Sequence, residues 1–161
     1  MAFTLKMSGK TDYKMAGFFE YVVPPLEGFW RQEGKAGIDY SNKSLFHWIS
    51  VIRLPDFVSR QDLEWAVEQA ARKKKTDCSA AEFLTVEEGL CVQMMHLGPF
   101  DDEPATIEKM DRYVRENGYE NDLNDQRQHH EIYMSAARRV SPEKWKTVIR
   151  HPIRKARQIP L

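Results

Sequence analysis

Two strand-like segments, residues 88–100 and 129–135, constrain the fold of this chain more than any other part of it. The first segment ends in a Gly-Pro turn that begins at Gly98. An acidic segment with helical spacing separates it from the second segment. Alternation along the second strand puts His129, Glu131 and Tyr133 on one face and His130, Ile132 and Met134 on the other. A carboxylate and a phenol therefore share one face of a predicted strand.

Composition is typical of a globular protein. With 161 residues, 42% of them hydrophobic and 30% charged, the chain is long enough for one core, and we predict a single domain over residues 1–161. No apolar run approaches 18 residues, and the first 14 residues lack the apolar centre of a signal peptide. We therefore expect a cytoplasmic protein that makes no membrane contact. We expect Cys78 and Cys91 to be free thiols, since a reducing compartment disfavours disulfides.

Charge is distributed unevenly, although the net charge is zero. Residues 101–131 contain ten acidic and four basic side chains, whereas residues 138–157 contain eight basic and one acidic. The basic segment would suit nucleic acid or anionic lipid, or it is a solvated helix face that complements the acidic segment. We favour the solvated face and expect no direct binding to nucleic acid.

Local patterns predict the order strand–strand–helix–strand–helix–strand–helix. Aromatic and β-branched residues predict strands at residues 18–23, 45–53 and 83–97, in addition to 129–135. The helices are predicted to begin at residues 59–62, 101–104 and 141–143, where capping hydroxyls, acidic residues and prolines occur. We expect an α+β fold: an antiparallel sheet with helices on one face and a ligand cleft on the other.

Five segments resemble the GyrI-like small-molecule-binding domain family, in the order in which that family has them. They are residues 21–30, 55–58, 88–103, 129–135 and 146–152, within a stretch from about Leu5 to Pro152. The resemblance implies two strand–helix–strand–strand (SHS2-like) units. This chain begins where the first helix of the family would be ending, so we expect the first unit to be incomplete at its N-terminus.

Glu131 and Tyr133 are the candidate catalytic residues. A carboxylate facing a cavity attracts a cation or accepts a proton from attacking water, and a phenol donates to a carbonyl that gains negative charge. From the pattern alone, Glu131 could also be a surface or ion-paired residue and Tyr133 a core tyrosine. The resemblance favours a site, because relatives have an acid at the position of Glu131 that meets ligands.

Large rings are the candidate ligand-binding residues, because aromatic faces bind flat or cationic molecules. The rings that we assign to binding are those of Trp30, Trp48, Phe100 and Tyr21. Glu27 is a further candidate acid, and a turn-stabilising role for it is equally consistent with the pattern. His96, at the end of a predicted strand, could be a ligand-contacting proton shuttle or could bond to a backbone carbonyl at the turn. We expect Trp65 and Trp145 to lie on helical stripes in the core.

We predict no metal and no cofactor. Neighbouring His129 and His130 point to opposite faces of a strand and could not both ligate one ion. The chain has no Cys-x-x-Cys, no His-Glu-x-x-His, no Gly-x-Ser-x-Gly and no nucleotide-binding glycine run. These absences argue against NTP, NAD and acyl-enzyme chemistry.

Three functional classes follow from the resemblance. The first is a non-catalytic binder of drug-like, planar or cationic molecules. The second is a hydrolase that holds flat DNA-alkylating compounds in an aromatic cage and opens their cyclopropane ring. Such an enzyme would make the cell resistant to these xenobiotics. The third is a module that sequesters gyrase. The segments resemble the stand-alone subset of the family most closely, so we rank hydrolysis first; the natural ligand and the oligomeric state stay open.

Overall fold

The chain forms two compact units in the computed structural model, which describes residues 1–35 and 37–157. The first unit consists of Met1–Pro24 and Ile52–Val86, and the second of Pro25–Val51 together with the described residues from Glu87 onward. Over the described residues, no helix combines the length and the hydropathy that crossing a bilayer would require.

The first unit contains two helices, α1 (Ala2–Lys6) and α2 (Arg60–Lys74). The predicted capping box before α2 is confirmed: Asp62 N–H donates to the Ser59 hydroxyl, and Ser59 N–H donates to the Asp62 carboxylate at 2.7 Å. Leu5 and Ala66, one from each helix, are fully buried and form the core of this unit with Met15 and Val58.

The strand predicted at residues 18–23 is wrong, because this segment is irregular. Its aromatic residues pack around one ring: Phe18, Phe19 and Tyr21 each lie edge-on to Phe57, at 4.9–5.9 Å between ring centroids. The aromatic composition that suggested a strand is therefore explained by side-chain packing. The first strand begins only after the two prolines, at Glu27.

The second unit contains a six-stranded antiparallel sheet, which confirms the predicted fold class. Its strands are β1 (Glu27–Gln32), β2 (Phe46–Val51), β3 (Cys91–Leu97), β4 (Tyr119–Asn121), β5 (His129–Tyr133) and β6 (Lys146–Lys155). The order across the sheet is β2-β1-β5-β6-β3, and β4 pairs with the end of β6. Strand β5, which carries Glu131, is thus central and is hydrogen-bonded on both sides.

Strand β3 is shorter than the predicted strand at residues 83–97, because it begins at Cys91. Gly89 has φ +62°, a left-handed conformation that interrupts an extended run. The guanidinium of Arg127 donates to the carbonyls of Glu88 and Leu90 at 2.6 and 2.9 Å, so a side chain satisfies these groups before the ladder begins.

The last predicted helix is also wrong, because residues 146–155 form strand β6 between β5 and β3. Alternate side chains of this segment are buried, at Thr147, Ile149 and His151, which is the period of a strand. Pro152 lies within the strand. The ladder with β5 ends at the His130–Arg150 pair, so the proline follows the point where that ladder needs a donor.

Helix α3 (Glu103–Glu116) starts as predicted, with Pro104 in its first turn, and buries Met110 and Val114. It packs on the sheet face that carries Glu131, because Thr106 of α3 bonds to His96 and Glu103 lies beside Glu131. We expected the cleft on the face opposite the helices. Glu131 instead shares its face with α3, near the N-terminus of that helix.

Candidate functional site

The pairing of β1 with its two neighbours assembles the aromatic part of the site. Trp30 lies opposite Trp48 on β2 and opposite His129 on β5, so all three side chains share one face. Gly28 lies opposite Glu131. Since glycine has no side chain, the space above it is filled by the Trp30 indole, whose Nε1–H donates to the Tyr133 hydroxyl oxygen at 3.0 Å.

Aromatic rings surround this hydrogen bond. Trp48 stacks on Trp30 at 5.3 Å between centroids with 16° between the planes, and Phe46 lies edge-on to Trp30 at 5.8 Å. Phe100 lies edge-on to Tyr133 at 5.8 Å. Trp48 is 52% exposed, so one large ring face of this group is accessible from solvent. Such a surface can take a flat molecule by stacking.

Beyond Phe100 lies Trp145, at 4.7 Å between ring centroids. We predicted Trp145 on a helical stripe in the core. It instead follows a short 3-10 turn at Pro142–Lys144, immediately before β6, and extends the aromatic group.

The buried carboxylate of Glu131 lies beside these rings and is bonded to a histidine. His129 Nε2 is 2.9 Å from Glu131 Oε1, and His129 Nδ1 is 2.7 Å from Nε2 of His151 on β6. All three side chains are at least nine-tenths buried. The two histidines thus form a series of two hydrogen bonds that ends at the carboxylate.

A second buried carboxylate, Glu103, comes from the first residue of α3. Its Oε2 accepts a hydrogen bond of 2.9 Å from the Tyr40 hydroxyl, whereas Oε1 is buried without a partner among the described residues. Tyr40 is held by the β1–β2 connector, where the buried Gln32 amide donates to the carbonyls of Asp39 and Asn42. The connector therefore supplies a donor to the acid at the helix start.

Burial and the two neighbouring acids change the proton affinity of the site. Burial first, and then the negative charge of Glu131, raise the pKa of Glu103 from 4.5 to about 8. Burial, followed by the charge of Glu131, also raises the pKa of Tyr133 above its usual value. At neutral pH, Glu103 therefore carries a proton and Tyr133 is an un-ionised hydrogen-bond donor.

Glu103, His129 and Glu131 each offer one potential metal-ligating atom, and these atoms lie within 4.8 Å of one another. Part of the group is satisfied without an ion. His129 Nε2 already bonds to Glu131, and a proton on Glu103 removes one of the two negative charges. We therefore interpret the cluster as a proton-binding group.

The remaining candidates have other hydrogen-bond or packing partners. Glu27 is on the opposite face of the sheet, where its Oε2 is 2.8 Å from Nε2 of His130. Both ring nitrogens of His96 are occupied, by the Thr106 hydroxyl and the Pro99 carbonyl at 2.9 Å each, which gives this residue an anchoring role at the turn. Tyr21 belongs to the first unit, where it packs against Phe57.

Comparison with known proteins gives the family of this chain. The sequence profile of the GyrI-like small molecule binding domain matches residues 11–154. The chain belongs to the GyrI-like family.

Solved structures of similar sequence come from Listeria innocua, and each match covers 95% of this chain and 74% of the Listeria chain. Two are described as hydrolases, at 41% and 44% identity with TM-scores of 0.85 and 0.86. A third, described as an uncharacterized conserved protein, has 45% identity and a TM-score of 0.88. No curated protein sequence matches the chain.

Three residues of this GyrI-like site are absent from the sequence-based candidates: Glu103, Tyr40 and His151. For Glu103 a signal exists, because the apolar stripe of Ile107, Met110 and Val114 reaches position 103 when it is extended back by one turn. His151 was missed because its segment was assigned to a helix. Tyr40 lies in a long connector, and no local pattern there points to a partner on α3.

Proposed function

We propose that this protein is a hydrolase that adds water to the strained cyclopropane ring of planar, DNA-alkylating compounds. The observation that carries the proposal is the buried Glu131 carboxylate, oriented by His129 and flanked by Tyr133 and the Trp30–Trp48 stack. A base, a hydrogen-bond donor and a flat apolar surface are the three groups that this reaction needs. The Listeria structures described as hydrolases support the reaction class.

The aromatic group would hold the substrate. Trp48 is half exposed, so a planar compound can stack on the Trp30–Trp48 pair from solvent, and Phe100 would border the reacting end beside Tyr133. Holding the reactant in one orientation lowers the entropic part of the barrier.

Tyr133 would polarise the dienone carbonyl of such a compound. Its oxygen accepts the Trp30 indole N–H, and its own O–H, which is paired with Glu131, would turn to donate to the substrate carbonyl. As the cyclopropane C–C bond breaks, its electron pair moves toward this carbonyl and restores an aromatic phenol. The Tyr133 hydrogen bond stabilises the developing oxyanion.

Glu131 would orient and deprotonate the attacking water. Its Oε1 is held by His129, and once the Tyr133 hydroxyl turns to the substrate, the carboxylate can accept the proton of the water as the new C–O bond forms. The phenolate oxygen regains a proton from the protonated site or from solvent, so the products are one ring-opened phenol and a regenerated enzyme.

Passive binding is the second candidate, and the pair of adjacent acids favours it for cations, because a bound cation can replace the proton on Glu103. A planar cation that stacks on Trp30 and Trp48 would place positive charge near Glu131 and Glu103. In that case each protein molecule would sequester one molecule of the compound, without turnover.

Incubation with a cyclopropane-containing alkylator, followed by mass spectrometry, separates the two candidates. We expect more than one equivalent of the water adduct per protein chain, and Glu131→Gln to lower kcat by about 100-fold or more. The matched control is Glu116→Gln, at an exposed glutamate at the far end of α3, which we expect to keep wild-type activity. A single equivalent of retained, unreacted compound would support binding alone.

A further inference from the structure

Behind His129 and Glu131 lies a second buried histidine, His151, which has no role in the steps described above. His151 lies on β6, is 3% exposed, and bonds through Nε2 to Nδ1 of His129 at 2.7 Å. The other nitrogen of His129 bonds to Glu131 at 2.9 Å. His151 Nδ1 is buried and has no hydrogen-bond partner among the described residues.

The unpartnered nitrogen determines which ring atoms carry protons. A buried N–H without an acceptor is rarer and more costly than an under-used lone pair, so His151 Nδ1 is the unprotonated nitrogen. A neutral His151 then carries its proton on Nε2 and donates to Nδ1 of His129. Since a neutral imidazole has only one N–H, His129 carries its own proton on Nε2 and donates to Glu131.

Protonation of His151 is disfavoured by its surroundings. Burial, and then the nearby His129, lower the pKa of His151 to about 3, so the ring stays neutral over the working pH range. If Glu131 instead donated to His129, both rings would adopt the Nδ1–H tautomer, and the buried Nδ1–H of His151 would have no acceptor. The hydrogen bonds are thus donated from His151 on β6 to His129, and from His129 to the Glu131 carboxylate.

We propose that His151 is a positioning residue, which fixes His129 in the Nε2–H tautomer and thereby keeps a hydrogen-bond donor on the Glu131 carboxylate. The role rests on the proposed function of Glu131 as a base. The other titratable groups around the carboxylate are Tyr133 on β5, Glu103 on α3 and, bonded to Glu103, Tyr40 of the β1–β2 connector. None of these three groups contacts His151, whose hydrogen bond to His129 is what connects β6 to the carboxylate.

Ring-nitrogen NMR of the ¹⁵N-histidine-labelled protein tests the tautomers without a substrate. We expect the spectra to show the Nε2–H tautomer for both His129 and His151. A proton on Nδ1 of His129 would overturn the proposal. Binding of one zinc ion per chain, titrated with zinc sulfate, would also overturn it, because the metal would need the lone pair at His129 Nε2.

Two substitutions at His151 test the effect on catalysis. The amide nitrogen of His151→Gln stands near the position of the ring Nε2 and can still donate to His129, whereas His151→Leu cannot. We expect His151→Gln to stay within about threefold of wild-type kcat. We expect His151→Leu to lower kcat about 10–100-fold, because His129 would no longer be held as a donor to the charged Glu131 carboxylate. KM should change little in either variant, because His151 does not touch the substrate.

The pH profile distinguishes positioning from a purely structural role. Removing a donor disfavours the ionised carboxylate, so the acid limb of kcat should move to higher pH in His151→Leu and stay in place in His151→Gln. Equal kcat and equal pH profiles in folded His151→Leu and wild type would refute the positioning role and leave the hydrolase proposal intact. If no turnover exists in wild type, the hydrolase proposal fails, and the tautomer measurement still decides the direction of donation.

Discussion

The Trp30 indole N–H donates to the Tyr133 hydroxyl across 3.0 Å, although the two residues are 103 positions apart in the chain. The bond passes above Gly28, where a Cβ atom would lie 2.8 Å from the indole nitrogen and 2.9 Å from the hydroxyl oxygen. Glycine at this position is therefore required by the close approach of two side chains, because its φ does not lie in the left-handed range.

Gly28→Ala should break this bond and leave the backbone of β1 unchanged. The added methyl must push Trp30 or Tyr133 aside, which we expect to cost about 1–2 kcal/mol of unfolding free energy as overpacking and to lower affinity for planar ligands about tenfold. Denaturant unfolding and fluorescence titration measure the two effects. Tyr133→Phe is the companion variant, because it removes the same hydrogen bond without adding volume. Wild-type affinity in both variants would show that the bond does not organise the binding surface.

Trp30 and Trp48 should dominate the binding of flat, apolar ligands. Removing either ring deletes a stacked partner worth about 1–1.5 kcal/mol beyond its buried area, or roughly a tenfold loss of affinity. Titration of a planar fluorophore against Trp30→Ala and Trp48→Ala measures this loss, and circular dichroism checks folding. Trp65→Ala is the control, since Trp65 stacks on Tyr13 within the first unit. Unchanged affinity in both site variants would remove the aromatic surface from the mechanism.

Glu103 should make the protein less stable as the pH rises. Its pKa is raised from 4.5 to about 8 in the folded state, so between these values the folded state holds a proton that the unfolded state releases. The free energy of unfolding then falls with pH, by at most about 1.4 kcal/mol per pH unit from this group, and levels off above the folded pKa. Thermal melting from pH 5 to 9 measures the slope.

The matched variant for this slope is Glu103→Gln, which is neutral at every pH. We expect it to melt at a higher temperature than wild type at pH 8 and to lose most of the pH dependence. A variant whose melting temperature keeps the wild-type slope would assign the effect to another group.

His130 should be a stabilising residue on the other face of the sheet. Its two ring nitrogens lie 2.8 Å from carboxylate oxygens of Glu88 and Glu27, and only the doubly protonated ring can donate to both. His130→Leu leaves the two acids facing an apolar group, and we expect a loss of about 2 kcal/mol in unfolding free energy. His47→Leu, at an exposed histidine of β2, is the control and should be near neutral. Equal stabilities of the two variants would show that the pairing with the acids contributes nothing.

Local sequence determined the elements whose signals are contained within one segment. The capping box before α2, the acidic and proline-containing start of α3, and the alternation of β5 are all found as predicted. The alternation also placed His129 and His130 on opposite faces, as their separate carboxylate partners show. Such features depend on a few neighbouring residues and their own hydrogen bonds, so the chain encodes them without reference to distant parts.

Only the tertiary structure decided the strand identity of residues 146–155 and the membership of the site. Thr147, Ile149 and His151 alternate in burial because they lie on one face of a strand that pairs with β5 and β3, and a segment that contains a proline and follows a helix-start pattern does not reveal those neighbours. Glu103 is an ordinary helix-start acid by sequence, yet its proton affinity is set by burial beside Glu131, from a strand 28 residues later in the chain. Burial and the charge of a sequence-distant neighbour arise only when the chain packs, which is why the sequence gives the residue types and the packing gives their chemistry.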